Sequence, residues 1–368
     1  MNGELERVAV ERGARSGCTV AVAVDSTLLG PALGGARMWH YASDRDAIAD
    51  AERLARAMTL KAAAAGLDLG GGKGVIAAPP GAPPSGELRR ALLLDFGDLV
   101  ESLGGDYVTA EDVGTGAGDM TVIGERTAHV VGLDSAHGGS GDPSPVTALG
   151  VLAALRACAA ERFGTRDLAG MHVRVVGLGH VGSELATLLR DAGAELSASD
   201  IDPGRRAAAE RLGASWVAPE GAMLGACDAL APCALGGAIG PTEAEGLRTA
   251  IVCGAANNVL TEDSVADRLA ERGILYAPDF VANAGGLISV YGELRRLPHE
   301  RALRLAAEIE GSMSSILAAA REDGVTPLEA ARRLALARLE GAAQRGFDVA
   351  ESSRARASAR SAAHATVG

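Results

Sequence analysis

The stretch "VVGLGHVGSELATLL", residues 175–189, joins the end of a predicted strand to an amphipathic helix through a glycine-rich turn. Its glycines have the spacing Gly177-x-Gly179-x-x-Gly182. Glycines at these positions allow a tight turn and let backbone N–H groups approach a pyrophosphate at the positive end of the helix. Strand, glycines and helix together favour a Rossmann-type dinucleotide site over a tight turn without a ligand.

The acid that follows this turn indicates which dinucleotide is bound. Asp200 ends the next predicted strand, 18 residues after Gly182. A carboxylate there accepts hydrogen bonds from ribose hydroxyls and repels a 2′-phosphate, which favours NAD over NADP. Arg205 and Arg206 leave NADP open, because a folded-back loop would bring them to a 2′-phosphate. The predicted cofactor-binding residues in this segment are Gly177, Gly179, His180, Val181, Gly182 and Asp200.

The length of 368 residues exceeds what one hydrophobic core usually serves, so we predict two domains. Beyond the Gly/Pro-rich segment 138–150, strands and helices alternate, which is the pattern of a parallel sheet covered by helices. The fold class is therefore α/β. The predicted domains are a first α/β domain over 1–135 with a helical return of 340–368, and a Rossmann domain over 136–339.

The first domain mixes short strands with a long helix. Apolar residues recur with the helical period over 43–66, and Ser43 with Asp46 resembles a capping box at its start. The predicted strands are 18–25, 37–41, 74–78 and 106–110.

The composition limits the partners and the compartment. A formal net charge of −12 argues against a nucleic acid or an anionic membrane as partner. No apolar run is long enough to span a bilayer, and the N-terminus lacks the apolar core of a signal peptide. The five cysteines have no C-x-x-C spacing, and no His/Cys/acid cluster has metal-ligand spacing. We expect a cytoplasmic protein without a metal site.

Arginine supplies nearly every cation, since only Lys61 and Lys73 among the 35 basic residues are lysines. Lysine, unlike arginine, can act as a general base, because it loses its proton when desolvated or beside another cation. Lys73 follows three glycines, but Leu67 and Gly74 stand where a phosphate-binding P-loop needs Gly and Ser/Thr. Lys61 lies on the apolar stripe of its helix, and the spacing leaves open a buried ion pair or a helix-end cation that extends to solvent.

Eight blocks of the chain resemble, in order, the signatures of the dehydrogenases that act on glutamate, leucine, phenylalanine and valine. They are "LGPALGGARMW", "MTLKAAAAGLDLGGGKGVI", "YVTAEDVGT", "GSGDPSPVTALGV", "GLGHVG", "APCALGG", "GAANNVL" and "YAPDFVANAGG". The resemblance implies reversible NAD-dependent oxidative deamination of an L-amino acid to a 2-oxo acid and ammonia. It also implies a first domain that binds substrate, a cleft between the domains and a homo-oligomer.

The resemblance also implies roles for single residues. Lys73 matches the family's catalytic lysine, and Asp112 matches the acid that exchanges protons with the substrate amine. Without the resemblance, the position of Asp112 favours a solvated loop acid or a helix N-cap. Lys61 matches the lysine that binds the substrate carboxylate. The remaining matches lie near the substrate carboxylate (Gly34, Gly35), near the substrate and the nicotinamide ribose (Asn257, Asn283) and near the nicotinamide carboxamide (Thr147).

The same resemblance bears on the substrate side chain. The glutamate enzymes have a lysine where Leu33 stands and a small hydroxyl residue where Val290 stands, so a glutamate side chain would be buried unpaired here. We expect leucine, valine or isoleucine as substrate, with phenylalanine as the alternative. The predicted pocket residues are Leu33, Ala110, Leu287 and Val290, of which Leu287 is larger than usual. His137 and Asp142 depart from the family pattern for no evident physical reason.

Two other classes of protein remain as alternatives. A cofactor-binding protein without catalysis would keep the Rossmann half and would have no need of Lys61, Lys73 and Asp112 together. A 2-hydroxy acid dehydrogenase would need a histidine paired with an acid, and the seven histidines show no such pairing in sequence.

Overall fold

The computed structural model describes residues 4–133, 139 and 141–344. The chain divides into two compact units, Met1–Gly141 with Ala335–Gly368, and Asp142–Leu334. Helices cover a β-sheet in each unit, which confirms the predicted two-domain α/β fold. The predicted helical return beyond residue 344 lies outside the described residues.

The first unit is built on a mixed sheet. Its strands are β1 (Arg7–Arg12), β2 (Thr19–Ser26), β3 (Ala32–Trp39), β4 (Gly70–Ala77) and β5 (Tyr107–Glu111). In the order β1-β2-β4-β3-β5, the first two neighbouring pairs are antiparallel and the last two are parallel. Its helices are α1 (Asp44–Ala64), α2 (Gly86–Ser102) and α3 (Ala117–Ile123). Helix α1 packs on one face of the sheet, while α2 and α3 pack on the other.

The predicted helix of this unit and the predicted strands 18–25, 74–78 and 106–110 are present. The predicted strand 37–41 is displaced: β3 runs from Ala32 to Trp39, and its start lies in a glycine-containing stretch that strand patterns disfavour. Helix α1 starts where the capping pattern indicated: Ser43 Oγ accepts a hydrogen bond from the Asp46 N–H at 3.3 Å and donates one to Asp46 Oδ2 at 2.8 Å. Strand β1 and helices α2 and α3 were not predicted. Strand β1 is an edge strand whose residues are mostly exposed, so it lacks the buried alternation that identifies β2.

Strand β4 begins at Gly70, four residues before the predicted start, and therefore includes the glycine run. The neighbouring chain explains the glycines. A Cβ on Gly72 would lie 2.7 Å from the Tyr107 ring, and a Cβ on Gly74 would overlap the Phe96 ring. A Cβ on Gly34 in β3 would overlap the Gly72 carbonyl oxygen. These glycines allow close packing within one sheet and are not a ligand-binding loop.

The second unit has a parallel sheet. Its strands are β6 (His172–Val176), β7 (Glu195–Ser199), β8 (Ser215–Trp216), β9 (Ala229–Pro232), β10 (Ile251–Val252) and β11 (Leu275–Tyr276). They lie in the order β11-β10-β9-β6-β7-β8. This is the 3-2-1-4-5-6 order of the Rossmann fold, in which ligands bind at the carboxyl end where the order reverses, here between β6 and β9. The predicted Rossmann unit is confirmed.

Helices complete this unit. Helix α4 (Ser144–Phe163) precedes the first strand, and α5 (His180–Asp191), α6 (Arg206–Arg211), α7 (Pro241–Gly246) and α8 (Ser264–Glu271) lie between the strands. The later ones are α9 (Asp279–Ala282), α10 (Gly285–Leu294), α11 (His299–Ala307), α12 (Ile309–Asp323) and α13 (Pro327–Gln344). Helix α13 contributes residues to both units. Its Leu328 packs in the core of the second unit, and its Leu339 packs on α1 in the first unit.

Candidate active site

Lys73 and Asp112 form an ion pair in the first unit. Lys73 lies in the middle of β4 and is 5% exposed, and Asp112 directly follows β5. The distance from Lys73 Nζ to Asp112 Oδ2 is 2.8 Å. The structure thus brings together the two residues predicted to be catalytic, which lie on different strands.

Strand alternation places these groups on one face of the sheet. Gly71 and Val75, two residues on either side of Lys73, face α1, as the contacts to Thr59 and to the alanines of that helix show. Lys73 therefore faces α1 as well. The neighbouring strand β3 presents Arg37 on this face, because Ala36 and Met38 point into the opposite core.

Arg37 is a second cation on the Asp112 carboxylate, and the sequence analysis missed it. Its Nε donates to Asp112 Oδ2 at 2.9 Å, and its other end binds Asp50 Oδ2 of α1 at 3.0 Å. Asp50 is held in turn by the Tyr41 hydroxyl at 2.8 Å and by Arg53 at 2.6 Å. A signal was available: period-two alternation along "LGGAR" puts residue 37 on the same face as Leu33.

The environment shifts the pKa values of the pair in directions that suit acid–base chemistry. Burial lowers the pKa of the Lys73 amine; Asp112 opposes this shift and Arg37 adds to it. The pKa of Asp112 is also lowered: burial alone would raise it, but Lys73 and Arg37 outweigh burial. The site therefore keeps Asp112 ionised while making the Lys73 amine easier to deprotonate than an ordinary lysine.

The three residues predicted to bind the substrate carboxylate lie on α1 and β3 of the same unit. Lys61 lies in the last turn of α1 and is half-buried. Gly34 and Gly35 are buried in the middle of β3. A Cβ on Gly35 would lie 2.6 Å from the Glu111 carbonyl oxygen and 2.7 Å from Asp112 Cβ. Glycine is therefore needed at residue 35 so that the chain carrying Asp112 can approach β3.

The glycine-rich turn of the second unit has the geometry that a dinucleotide needs. Gly177 has φ +102°, which favours glycine, and a Cβ there would lie 2.7 Å from the Ala234 nitrogen. A Cβ on Gly182 would overlap the Gly177 carbonyl oxygen. A Cβ on Gly179 would meet nothing within 4 Å, so this glycine borders open space at the start of α5. The turn therefore fits a pyrophosphate on its open side.

Asp200 follows β7 and is fixed by this turn. Its Oδ2 accepts a hydrogen bond from the Leu178 N–H at 2.6 Å, and its Oδ1 accepts one from the Asp202 N–H at 2.8 Å. The two arginines that left NADP open are paired with acids: Arg205 lies 3.7 Å from Asp202 and Arg206 lies 2.8 Å from Glu210.

The predicted asparagines contact each other. Asn283 is buried, and its Nδ2 donates to Asn257 Oδ1 at 2.9 Å and to the Ala256 carbonyl at 3.2 Å. Asn257 itself is exposed. Thr147, in the first turn of α4, is buried and donates to the Pro143 carbonyl at 2.9 Å.

His180 and Val181 begin α5, directly after the glycine turn. His180 Nδ1 lies 4.0 Å from Asp142 Oδ2, and its side chain is exposed. Asp142 also accepts a hydrogen bond from the Ser144 N–H at 2.9 Å at the start of α4. His137 lies outside the described residues.

The comparisons with known proteins agree with both units. Residues 7–129 match the profile described as Glu/Leu/Phe/Val dehydrogenase, dimerisation domain, and residues 207–346 match that of Glutamate/Leucine/Phenylalanine/Valine dehydrogenase. The chain belongs to this family. The prediction of an amino-acid dehydrogenase, an enzyme class that uses a nicotinamide cofactor, is confirmed.

Individual relatives of this amino-acid dehydrogenase differ in their named substrates. A leucine dehydrogenase of Bacillus subtilis is 45% identical over 327 residues, 89% of each chain. A valine dehydrogenase of Streptomyces virginiae is 42% identical over 344 residues, 92% of this chain and 95% of that one. The crystal structure of an L-tryptophan dehydrogenase from Nostoc punctiforme superposes with a TM-score of 0.83 at 37% identity, covering 92% of this chain and 97% of that one.

The residues predicted to line the side-chain pocket of the dehydrogenase are apolar and well packed. Leu33 on β3 is 2% exposed and Ala110 on β5 is 6% exposed. In the second unit Leu287 and Val290 lie on α10, where Leu287 is buried and Val290 is half-buried. None of the four side chains carries a charge that would pair with a carboxylate.

Metal-ligand clusters and membrane-spanning helices are both absent from the described residues. No group of three or more His, Cys, Asp or Glu side chains within residues 4–133, 139 and 141–344 is arranged to hold a metal ion. None of the helices in these ranges is both long and apolar enough to cross a bilayer.

Proposed function

We propose that this dehydrogenase catalyses the reversible NAD-dependent oxidative deamination of a branched aliphatic L-amino acid: leucine, valine or isoleucine. The observation that carries the proposal is the ion pair of buried Lys73 with Asp112, at 2.8 Å, on the face of the first unit's sheet that packs against α1. The names of the leucine and valine dehydrogenases that resemble the chain over most of its length support the same substrates.

The chemistry divides between the two side chains. A bound nicotinamide ring would accept the hydride from the substrate Cα, which leaves an iminium carbon. Lys73, once neutral, removes a proton from the water that attacks this carbon. Asp112 exchanges protons with the substrate nitrogen, and ammonia then leaves. Lys61 provides a cation for the substrate carboxylate.

The hydrogen bonds of Asp112 suit this role. Both Lys73 Nζ and Arg37 Nε contact Oδ2. Within the described residues no side chain donates to Oδ1, so this oxygen retains lone pairs for the substrate amine. An ionised carboxylate with one oxygen fixed by cations is a pre-oriented proton acceptor.

NAD is favoured over NADP by the residues at the end of β7. The Asp200 carboxylate is held beside the glycine turn, where it would repel a 2′-phosphate. Arg205 and Arg206 are paired with their own acids. Comparing kcat/KM for NADH and NADPH tests this choice, and a preference for NADPH would contradict it.

The test of the activity is NADH oxidation with ammonium and a panel of 2-oxo acids. The panel contains 4-methyl-2-oxopentanoate, 3-methyl-2-oxobutanoate, phenylpyruvate, indole-3-pyruvate and 2-oxoglutarate. We expect ammonium-dependent turnover that is fastest with the first two. A preference for phenylpyruvate or indole-3-pyruvate would retain the reaction and contradict the assignment of the pocket. Absence of ammonium-dependent turnover with every acid would contradict the function itself.

The aromatic alternatives have one specific observation in their favour, which is the similarity to the L-tryptophan dehydrogenase. The larger Leu287 opposes them, because one additional methylene reduces the pocket and changes discrimination by about 1–3 kcal/mol.

The proposal includes a homo-oligomer that acts in the cytoplasm. The match of residues 7–129 to a domain described as a dimerisation domain supports the oligomer. The five free cysteines fit a reducing compartment. Native mass spectrometry at micromolar concentration tests the oligomer, and detection of only the mass of one chain would contradict it.

A further inference from the structure

The proposed reaction removes the positive charge of Lys73 from its ion pair with Asp112. While Lys73 is protonated, the two side chains form an ion pair at 2.8 Å. When Lys73 gives up its proton to act as a base, the pair loses its cation. A carboxylate that is mostly buried and left without a cation is unfavourable, so Asp112 by itself would hold the proton on Lys73.

Arg37 is positioned to keep Asp112 ion-paired when Lys73 is neutral. Its Nε contacts the same oxygen, Asp112 Oδ2, at 2.9 Å, and its charge is permanent. The Asp112 carboxylate therefore remains paired after Lys73 has lost its proton. The guanidinium is fixed from behind, because Asp50 Oδ2 binds it at 3.0 Å and itself accepts from Tyr41 and Arg53.

We propose that Arg37 is a positioning residue for the reaction: it keeps Asp112 ion-paired while Lys73 loses its proton, and so sets the pH range in which Lys73 acts as a base. The proposal rests on the proposed amino-acid deamination. Arg37 acts through Asp112 and Lys73 and has no assigned contact with the substrate.

The other charged groups around Lys73 do not keep Asp112 ion-paired while Lys73 is neutral. On α1, Asp50 is already bound by Arg37, Tyr41 and Arg53, and Lys61 lies in the last turn of the helix. On β2, Asp25 accepts from Thr59 at 2.6 Å and lies 3.9 Å from Arg56. Within the described residues, Arg37 and Lys73 are the two cations in contact with Asp112.

The pKa directions agree with this geometry. Arg37 contributes to lowering the pKa of Lys73 and to lowering that of Asp112. Without Arg37, the pKa of Lys73 should rise, and a higher pH would be needed to obtain the neutral amine. A residue that only supported the fold would reduce the rate by the same factor at every pH.

The first experiment measures deamination over pH 7–11 for the wild type, Arg37→Gln and Arg37→Lys. We expect the acidic limb of kcat to move about one pH unit upward in Arg37→Gln, with recovery of the rate at high pH. Arg37→Lys retains a cation and should restore part of the shift. The matched control is Arg90→Gln, which removes an exposed arginine paired with Glu125 and should leave the acidic limb of kcat in place.

The second experiment is independent of turnover and uses the presence of only two lysines in the chain. In protein labelled with ¹³C at the lysine ε carbon, the two signals are titrated by NMR, and Lys61→Arg identifies the signal of Lys73. The titration midpoint of Lys73 should be higher in Arg37→Gln than in the wild type. An unchanged midpoint, or an equal loss of rate at all pH values, would overturn the proposal.

These two readouts separate the failure of the inference from that of the proposed function. A wild-type protein without ammonium-dependent turnover would refute the function, while the NMR titration would still decide whether Arg37 controls Lys73. If Arg37→Gln does not fold, the pH series of Arg37→Lys tests the proposal. Lysine cannot bind Asp112 and Asp50 with two separate nitrogens as the guanidinium does, so the acidic limb of kcat should still move to higher pH.

Discussion

At the scale of single residues, one carboxylate oxygen, Asp112 Oδ2, binds both a lysine that can lose its proton and an arginine that cannot. The scarcity of lysine marked Lys73 as a candidate base, whereas Asp112 was identified only through the family blocks, because no spacing rule links residues that lie on different parts of a sheet. The glycine turn was different: the residues from Gly177 to Asp200 belong to one continuous βαβ segment that starts with β6, and its local pattern was sufficient.

Replacement of Lys73 tests the base at this scale. Lys73→Ala should reduce kcat at least 10²-fold, because the amine that activates water is removed. NADH binding, followed by fluorescence, should be unchanged, since the glycine turn belongs to the other unit. Lys73→Arg is the matched variant: it retains a cation that cannot deprotonate, so it should also be inactive. Wild-type turnover in either variant would refute the mechanism.

Replacement of Asp200 tests the choice of dinucleotide. Asp200→Asn removes the negative charge beside the glycine turn, so the ratio of kcat/KM for NADH over NADPH should fall about 10-fold. The control is Asp267→Asn, which removes an exposed carboxylate from α8 of the same unit. An unchanged ratio in Asp200→Asn, or an equal fall in the control, would speak against a role of Asp200 in this choice.

At the scale of elements, β4 shows what sequence patterns cannot provide. Glycine is unfavourable in strands, so the pattern placed the start of the strand at residue 74, after the glycines. The structure begins it at Gly70, because the Tyr107 and Phe96 rings and the neighbouring backbone occupy the space of side chains. The need for glycine in β4 therefore comes from residues that are distant in sequence. Helix α1, by contrast, carries its own capping signal at Ser43.

Substitution of a strand glycine tests this packing. Gly34→Ala would place a methyl group against the Gly72 carbonyl, which is backbone and cannot rotate away. We expect a loss of about 1–3 kcal/mol or more in the free energy of unfolding, measured by urea denaturation. Gly118→Ala in α3 is the matched control, since a Cβ there meets nothing within 4 Å and alanine favours a helix. Equal stability of the two variants would contradict the packing explanation.

At the scale of the whole molecule, the sheet of the second unit was predictable and that of the first was not. Alternating strands and right-handed crossovers leave few topologies for β6 to β11. In the first unit, β3 and β4 are parallel neighbours while β2 pairs antiparallel with β4. Local sequence does not specify such mixed pairing, because it depends on contacts between strands far apart along the chain.

The stability of the molecule should depend on pH through its paired acids. The pKa of buried Asp95 is lowered: burial acts to raise it, but hydrogen bonds from Ser16 and Arg15 outweigh burial. A carboxyl group with a lowered folded pKa contributes stability above its unfolded pKa of about 3.9 and loses it as pH falls through the folded value. Urea midpoints should therefore fall below about pH 4.

Two variants test whether Asp95 causes the loss of stability at acid pH. Asp95→Asn should lower the free energy of unfolding at pH 7 by about 1–3 kcal/mol and weaken its dependence on pH. Glu101→Gln, on the exposed surface of the same helix α2, serves as the control and should change neither quantity much. A steeper acid dependence in Asp95→Asn than in the wild type would show that the sign is wrong.

The restriction of lysine to α1 and β4 has a practical consequence for chemical coupling. Apart from the amino terminus, aldehydes, active esters and reducing sugars find side-chain amines only at Lys73 and Lys61, the proposed base and the proposed carboxylate-binding residue. Attachment of the enzyme to an amine-reactive support would therefore anchor it by its first residue or inactivate it. Carbodiimide coupling through the 47 acidic side chains is the better route for an immobilised biocatalyst.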